Sequence, residues 1–216
     1  MPTFETLLVA LVAAGLGVGA LALLAGLRAG SSSAAMIALG SGRFAEALAA
    51  ARTGVGTPRD ELYAAAVAAK HLLLWDRAGE LLDRILRGDP GDGEAWLERG
   101  LVAAYTGRGG EAETAFAQAL AHRADLAESI TLHRAWLALS RGDHPLSRRL
   151  FDGVEAPLES KLRSDLGPGD PLFAEWFLQA AALWRAAGDA ARGDWAAAAG
   201  RAAAPESRLP DLILAG

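Results

Sequence analysis

Cysteine is absent from the 216 residues. That excludes disulfides, a thiolate nucleophile and any cysteine-ligated zinc, while leaving the compartment open. Lysine is nearly absent too, confined to Lys70 and Lys161, and the net charge is −5. Broad nucleic-acid binding needs clustered Lys and Arg to displace counterions, so no nucleic-acid partner is expected. β-branched residues are scarce, which argues against a large sheet. Catalytic motifs are missing as well. His71, His122, His133 and His144 form no HExxH and no close metal-ligand pair, although His122 and His133 fall in adjacent predicted helices and can approach. No serine sits in G-x-S-x-G. "GRGGE", residues 107–111, lacks the Lys-Ser/Thr of a phosphate loop and reads as a hairpin turn. The chain is therefore read as a non-enzyme, with no cofactor, no metal and no small-molecule substrate.

What is present is alanine and arginine. Hydrophobic residues make up 52%, much of that alanine, the best helix former, and the expected fold class is all-α. Residues 7–27, "LLVALVAAGLGVGALALLAGL", carry no charge. At about 1.5 Å per residue such a helix is roughly 31 Å long, the thickness of a bilayer core. Residues 1–30 are thus read as a single-pass anchor in the lipid of a bacterial inner membrane. The alternative is a cleaved signal peptide, but "MPTFET" has no basic n-region. Arg28 and Arg43 follow the run, so the positive-inside rule favours a cytoplasmic C-terminal domain, with a periplasmic one as the alternative. Gly15 and Gly19 form a GxxxG pair suited to helix packing in lipid; the other reading is that glycine is simply common here.

Beyond the anchor, residues 31–58 read as a juxtamembrane helical segment in which "GRFAEALAAARTG" is the second helix of a hairpin. From residue 59 the chain repeats with a period of about 34 residues, the signature of a solenoid. The best unit has Trp96, Gly100 and Ala103 in its first helix and Ala112, Phe116 and Ala119 in its second. The unit before it has Leu62, Ala66, Ala69, Ala78, Leu82 and Pro90. The unit after it has Ala135, Ala138, Gly142, Ser147 and Phe151. This pattern resembles the tetratricopeptide repeat family, with departures: Arg99 stands for the first leucine, Ala103 for the tyrosine and Ala124 for the terminal proline. Small residues fall where paired helices cross, and large ones fill the space between hairpins. The match covers roughly residues 59–154, with more degenerate extensions over 34–58 and 171–205; the C-terminal hairpin and tail together occupy 171–216. The fallback is a generic array of helical hairpins. The acidic stretch "RGDPGDGEAW" falls at a repeat boundary; there Pro90 stops one helix and Asp92 caps the next, a hinge rather than a calcium loop, which needs more oxygen ligands.

Residues 155–170, which run into "GPGDP" at 167–171, interrupt the period and are expected to be an inserted surface loop. "LPDLILAG" is expected to dock on the last hairpin.

The resemblance implies that one side of each first helix lines a concave, protein-binding groove. By matched position the lining is Tyr63, Val67, Lys70 and His71, then Leu97, Leu101 and Tyr105, then Leu132, Trp136 and Leu139. Each set keeps three- and four-residue spacing, so each occupies one helix face; ordinary helix packing would produce the same spacing. A groove so lined is mostly apolar and suits an amphipathic helix or hydrophobic peptide. The positions that hold a terminal carboxylate in some family members are Tyr63, Val67, Leu97 and Leu101 here, which disfavours that ligand. The expected function is a membrane-anchored scaffold that binds a protein partner, as an assembly factor or accessory subunit of a bacterial membrane complex. The alternative is a periplasmic carrier or chaperone-like binding protein released from its signal peptide.

Overall fold

The computed structural model describes residues 33–164 and 170–215. The charge-free run 7–27, with Gly15 and Gly19, lies outside the described residues. Among those that are described, no helix is long and apolar enough to cross a membrane, and no strand occurs. The chain is all-α.

Twelve helices form among the described residues: α1 Ala34–Gly40, α2 Phe44–Ala50, α3 Arg59–His71, α4 Trp75–Gly88, α5 Gly93–Tyr105, α6 Gly109–His122, α7 Ala127–Ser140, α8 His144–Asp152, α9 Glu155–Arg163, α10 Ala174–Ala186, α11 Ala190–Ala203 and α12 Leu209–Ile213. Ten of them pair into five antiparallel hairpins: α1/α2, α3/α4, α5/α6, α7/α8 and α10/α11.

One turn joins every pair. Gly42, Leu73, Gly107, Gly142 and Gly188 all adopt a positive φ, between +61° and +86°. The next residue's N–H then donates to the carbonyl five residues back: Arg43 to Ala38, Leu74 to Ala69, Arg108 to Ala103, Asp143 to Ala138 and Asp189 to Trp184, at 2.8–3.0 Å. This left-handed helix cap satisfies two orphan carbonyls and reverses the chain. Four of the five positions hold glycine, which enters this conformation without a Cβ clash; Leu73 enters it at a steric cost.

Within the hairpins, small residues let the helices cross closely. A Cβ on Gly100 would lie 2.5 Å from the Phe116 ring, and Phe116 is fully buried. Successive hairpins then stack, the second helix of one against the first helix of the next. The acidic stretch 87–94 sits at one such junction. Asp92 caps α5, accepting from the Ala95 N–H at 2.9 Å. It also accepts from Arg59 at 2.7 Å, and Arg59 reaches Glu94 at 2.8 Å. Burial opposes its charge, but these donors hold the Asp92 carboxyl below its ordinary value. The acidic cluster binds two hairpins together.

The expected inserted loop, residues 155–170, is a helix over most of its length. Leu158 and Leu162 are spaced by one turn and both are buried, giving α9 an apolar face that a loop would leave exposed. Its polar side is a strap. Lys161 pairs with Glu128 of α7, while Glu155 accepts from Trp184 of α10 and pairs with Arg192 of α11. Residues 165–169 lie outside the described residues.

The array does not end open. Ala174, Ala203 and Ala204 of the last hairpin share one core cluster with Ala35, Ala38, Phe44 and Ala64 of the first two. The Arg208 N–H donates to the His71 carbonyl at 2.8 Å, and the Ala45 N–H donates to Glu206. Leu209 and Ile213 of α12 are buried, and α12 contacts α10 and α11. The first helix of each hairpin faces inward, and the fifth hairpin closes on the first. Alanine at these contacts permits the close approach.

Candidate functional site: a polar seam inside the closed array

The residues expected to line an open groove are instead packed inside the chain. Val67, Lys70, His71, Leu97, Leu101, Tyr105, Leu132 and Trp136 are buried, and Tyr63 and Leu139 are half-buried. Lys70 and Tyr105 are covered by α10, which lies across α7 and bonds both through Glu175. The lining is also less apolar than the matched positions imply, because α10 brings polar side chains onto it.

Lys70 of α3, only 2% exposed, is the centre. Its ammonium donates to Glu175 of α10 at 2.5 Å and lies 2.8 Å from Glu98 Oε2 of α5. That second contact is an ion pair without hydrogen-bond alignment, so Glu98 Oε2 has no hydrogen-bond donor. From Glu175 a chain of bonds runs outward across three helices. The Tyr105 hydroxyl donates to Glu175 Oε1, and Gln179 Nε2 donates to the Tyr105 oxygen at 2.8 Å. Gln179 Oε1 lies 2.7 Å from His133 Nδ1, and His133 Nε2 lies 3.0 Å from the Ser129 hydroxyl. An amide oxygen can only accept, so His133 Nδ1 carries the proton and Nε2 accepts from Ser129. Every donor in the chain from Ser129 to Glu175 then has one acceptor, and its direction is fixed.

Beside this chain, His71 stacks on Phe44 with ring centroids 4.0 Å apart, and its Nδ1 lies 2.9 Å from the Ser207 hydroxyl. Tyr105 also meets Trp136 edge-on at 4.9 Å. His122, by contrast, is exposed, with Gly91 near its ring, and takes no part in the His133 network.

The electrostatics follow from burial and from one cation between two carboxylates. Burial works against the Lys70 ammonium, but Glu175 and Glu98 outweigh it and hold the amine protonated well above the ordinary lysine value. Burial also opposes the Glu175 charge, and Lys70 overcomes it, so this carboxyl falls below its usual value. Glu98 goes the other way: burial and the Glu175 charge raise it, against the pull of Lys70. His71 is pushed down to about 3 by burial and by the neighbouring Lys70 charge, and burial lowers His133. Both imidazoles are neutral near pH 7. Burial and the Glu175 charge push the Tyr105 hydroxyl well above its ordinary value. A protonated lysine, an un-ionised tyrosine and a histidine with both nitrogens engaged thus share one buried seam.

Matched-position reasoning found Lys70, His71, Tyr105 and Trp136, and the structure brings these together. Glu98, Ser129, His133, Glu175 and Gln179 were missed. A sequence signal existed: in "FAEWFLQAAALW" two polar residues four apart interrupt an otherwise apolar helix, and Ser129 and His133 repeat that spacing. Among the described residues no group of His, Asp or Glu is arranged to hold a metal. Compared with known proteins, the chain matches no family model, no curated protein and no solved structure.

Proposed function

We propose that this chain is a membrane-anchored, tetratricopeptide-like helical-repeat adaptor that holds another protein, as an assembly factor or accessory subunit of a bacterial membrane complex. The observation that carries the reading is the repeated hairpin. Five copies share one turn geometry, and no copy can bury its apolar faces without its neighbours, the economy of an array whose work is presenting side chains. Two sequence features support it: the charge-free run 7–27, long enough to span a bilayer, and the residue pattern around Trp96, Gly100, Ala112 and Phe116. Arg28 and Arg43 favour a cytoplasmic array.

Crosslinking of the full-length chain in native membranes, followed by mass spectrometry, tests the adaptor role. A reproducible protein partner in stoichiometric amount is expected; a chain that crosslinks only to itself or to nothing overturns it. Intact mass of the mature protein tests the anchor, because loss of about thirty residues is the mark of a cleaved leader and would transfer the binding role to a periplasmic protein.

A further inference from the structure

The interior seam divides its bonding roles unevenly. The surface formed by α3, α5 and α7 offers three donors to α10, the Lys70 ammonium, the Tyr105 hydroxyl and His133 Nδ1–H, beside one carboxylate of its own, Glu98 on α5. The acceptors for these three come from a single helix, as the two oxygens of Glu175 and the Oε1 of Gln179, and Gln179 Nε2 returns one bond to the Tyr105 oxygen. Positions 175 and 179 are one turn apart, so both side chains leave one face of α10. We propose that α10 is an internal stand-in for a partner's helix: the groove of α3, α5 and α7 takes a helix bearing a carboxylate and, one turn later, a carboxamide, and the closed array is its occupied resting state. This rests on the adaptor reading above and adds the chemistry of the occupant.

The donor pattern selects against other helices. A basic residue at the carboxylate position would face Lys70. An apolar one would leave buried donors unpaired, at a cost that ordinary apolar contact does not offset. Shifting the pair by one residue moves both groups off the shared face. The last hairpin, for its part, has an apolar seam of its own. Phe177 and Trp184 of α10 meet Trp195 of α11 at ring separations of 5.6 and 6.2 Å. Leu178 packs where a Cβ on Gly200 would come within 3.0 Å. At the start of α10 the polar bonds lie beside one small apolar contact, Ala174 sharing a core cluster with Ala64, Val67 and Ala68 of α3, and a competing helix with the same two groups remakes each polar bond.

The test uses the full-length chain, wild type and with the isosteric change Glu175→Gln, which weakens the internal occupant. The probe is a fluorescent synthetic peptide with the sequence of residues 171–187, alongside a copy carrying Glu175→Gln and Gln179→Leu. The native peptide is expected to bind the substituted chain about tenfold more tightly than wild type, and the altered peptide to lose about tenfold or more on that same chain. Equal binding of the two peptides, or equal binding by the two chains, overturns the proposal. Should Glu175→Gln lower helix content, hydrogen exchange in wild type under saturating native peptide decides instead: faster exchange in α10 supports displacement, and unchanged exchange overturns it. Peptides that fail to discriminate while a membrane partner is still captured remove the α10 mimicry alone. Discriminating peptides with no captured partner remove the adaptor role alone.

Discussion

The seams within hairpins and the seam that closes the array are built on opposite plans. Within a hairpin the contact is apolar, local and repeated: Phe116 lies on Gly100, and Leu178 lies on Gly200. The closing seam occurs once, joins residues as far apart as Lys70 and Glu175, and adds charge and directed hydrogen bonds to a small alanine-rich contact. The first kind needs only a correct period. The second needs a particular set of side chains to meet after every hairpin has formed. An array of this sort is rigid in its units and conditional in its closure.

The two kinds of seam should fail differently. Phe116→Ala carries the largest expected loss, about 3–5 kcal/mol, because it removes a fully buried ring whose partner, Gly100, has no side chain to fill the void. Urea unfolding followed by circular dichroism measures it. The ring also stacks on His133, 6.3 Å between centroids, and burial there favours the neutral imidazole, so the loss should be somewhat smaller at pH 5.5 than at pH 7.5. An identical loss at the two pH values would show that the hairpin seam and the closing seam are separable at this ring.

Lys70→Met attacks the closing seam. It leaves Glu98 and Glu175 buried together with no cation, a change that costs about 3 kcal/mol or more at neutral pH. Here the deficit should shrink on acidification. Without Lys70 the carboxyls sit above their unfolded value, so folding takes up a proton and stability is lost as pH rises. Adding Glu98→Gln and Glu175→Gln to Lys70→Met should recover most of the loss by removing the uncompensated charges. If the triple variant is no more stable than Lys70→Met, the cost lies in shape and not in charge.

Sequence period and seam type explain what was legible beforehand. The hairpins around Trp96, Gly100 and Phe116 were readable because their contacts lie within one repeat, where spacing implies proximity. The stretch at Asp92 was readable for the same reason, as a helix start three residues from its own donor. Closure was not readable. Nothing local in "FAEWFLQAAALW" says that Glu175 meets Lys70 rather than solvent, and a carboxylate facing outward is the ordinary case for an array of helices. The 155–170 segment was misread because it runs into "GPGDP", while Leu158 and Leu162 reveal a helix only when another surface exists to cover them. The groove residues share helix faces as their spacing implies, yet the cover over Lys70 comes from Glu175, 105 positions later in the chain.

Acid sensitivity should report on closure through His71. Its folded value is depressed to about 3, so the stability tied to the neutral ring is complete above the ordinary histidine value and is lost as pH falls toward that depressed one. The ring lies beside Lys70 and stacks on Phe44, with Glu175 the nearby negative charge. Between pH 6.5 and pH 5.5 one such histidine accounts for roughly 1 kcal/mol. His71→Gln, whose amide can still meet Ser207, should flatten the pH dependence of the urea midpoint by about that amount and leave the share that belongs to His133. An unchanged slope would mean that His71 is hydrated, and that the contact between the last hairpin and α3 is looser than its hydrogen bonds indicate.

The smallest effect tests the repeated side of the comparison at its one irregular turn. Leu73 occupies the left-handed position that glycine fills in the other four hairpins. A leucine there costs about 1–2 kcal/mol relative to a relaxed backbone. Leu73→Gly removes that strain but gives back part of the gain, because glycine loses more backbone freedom on folding and the half-buried leucyl side chain is deleted. The net expectation is a gain of about 0.5–1 kcal/mol in the urea midpoint, with the pH dependence of wild type retained. If Leu73→Gly instead destabilises, the leucyl side chain contributes more at that turn than its backbone strain costs, and the second hairpin departs from the common plan for a reason of packing.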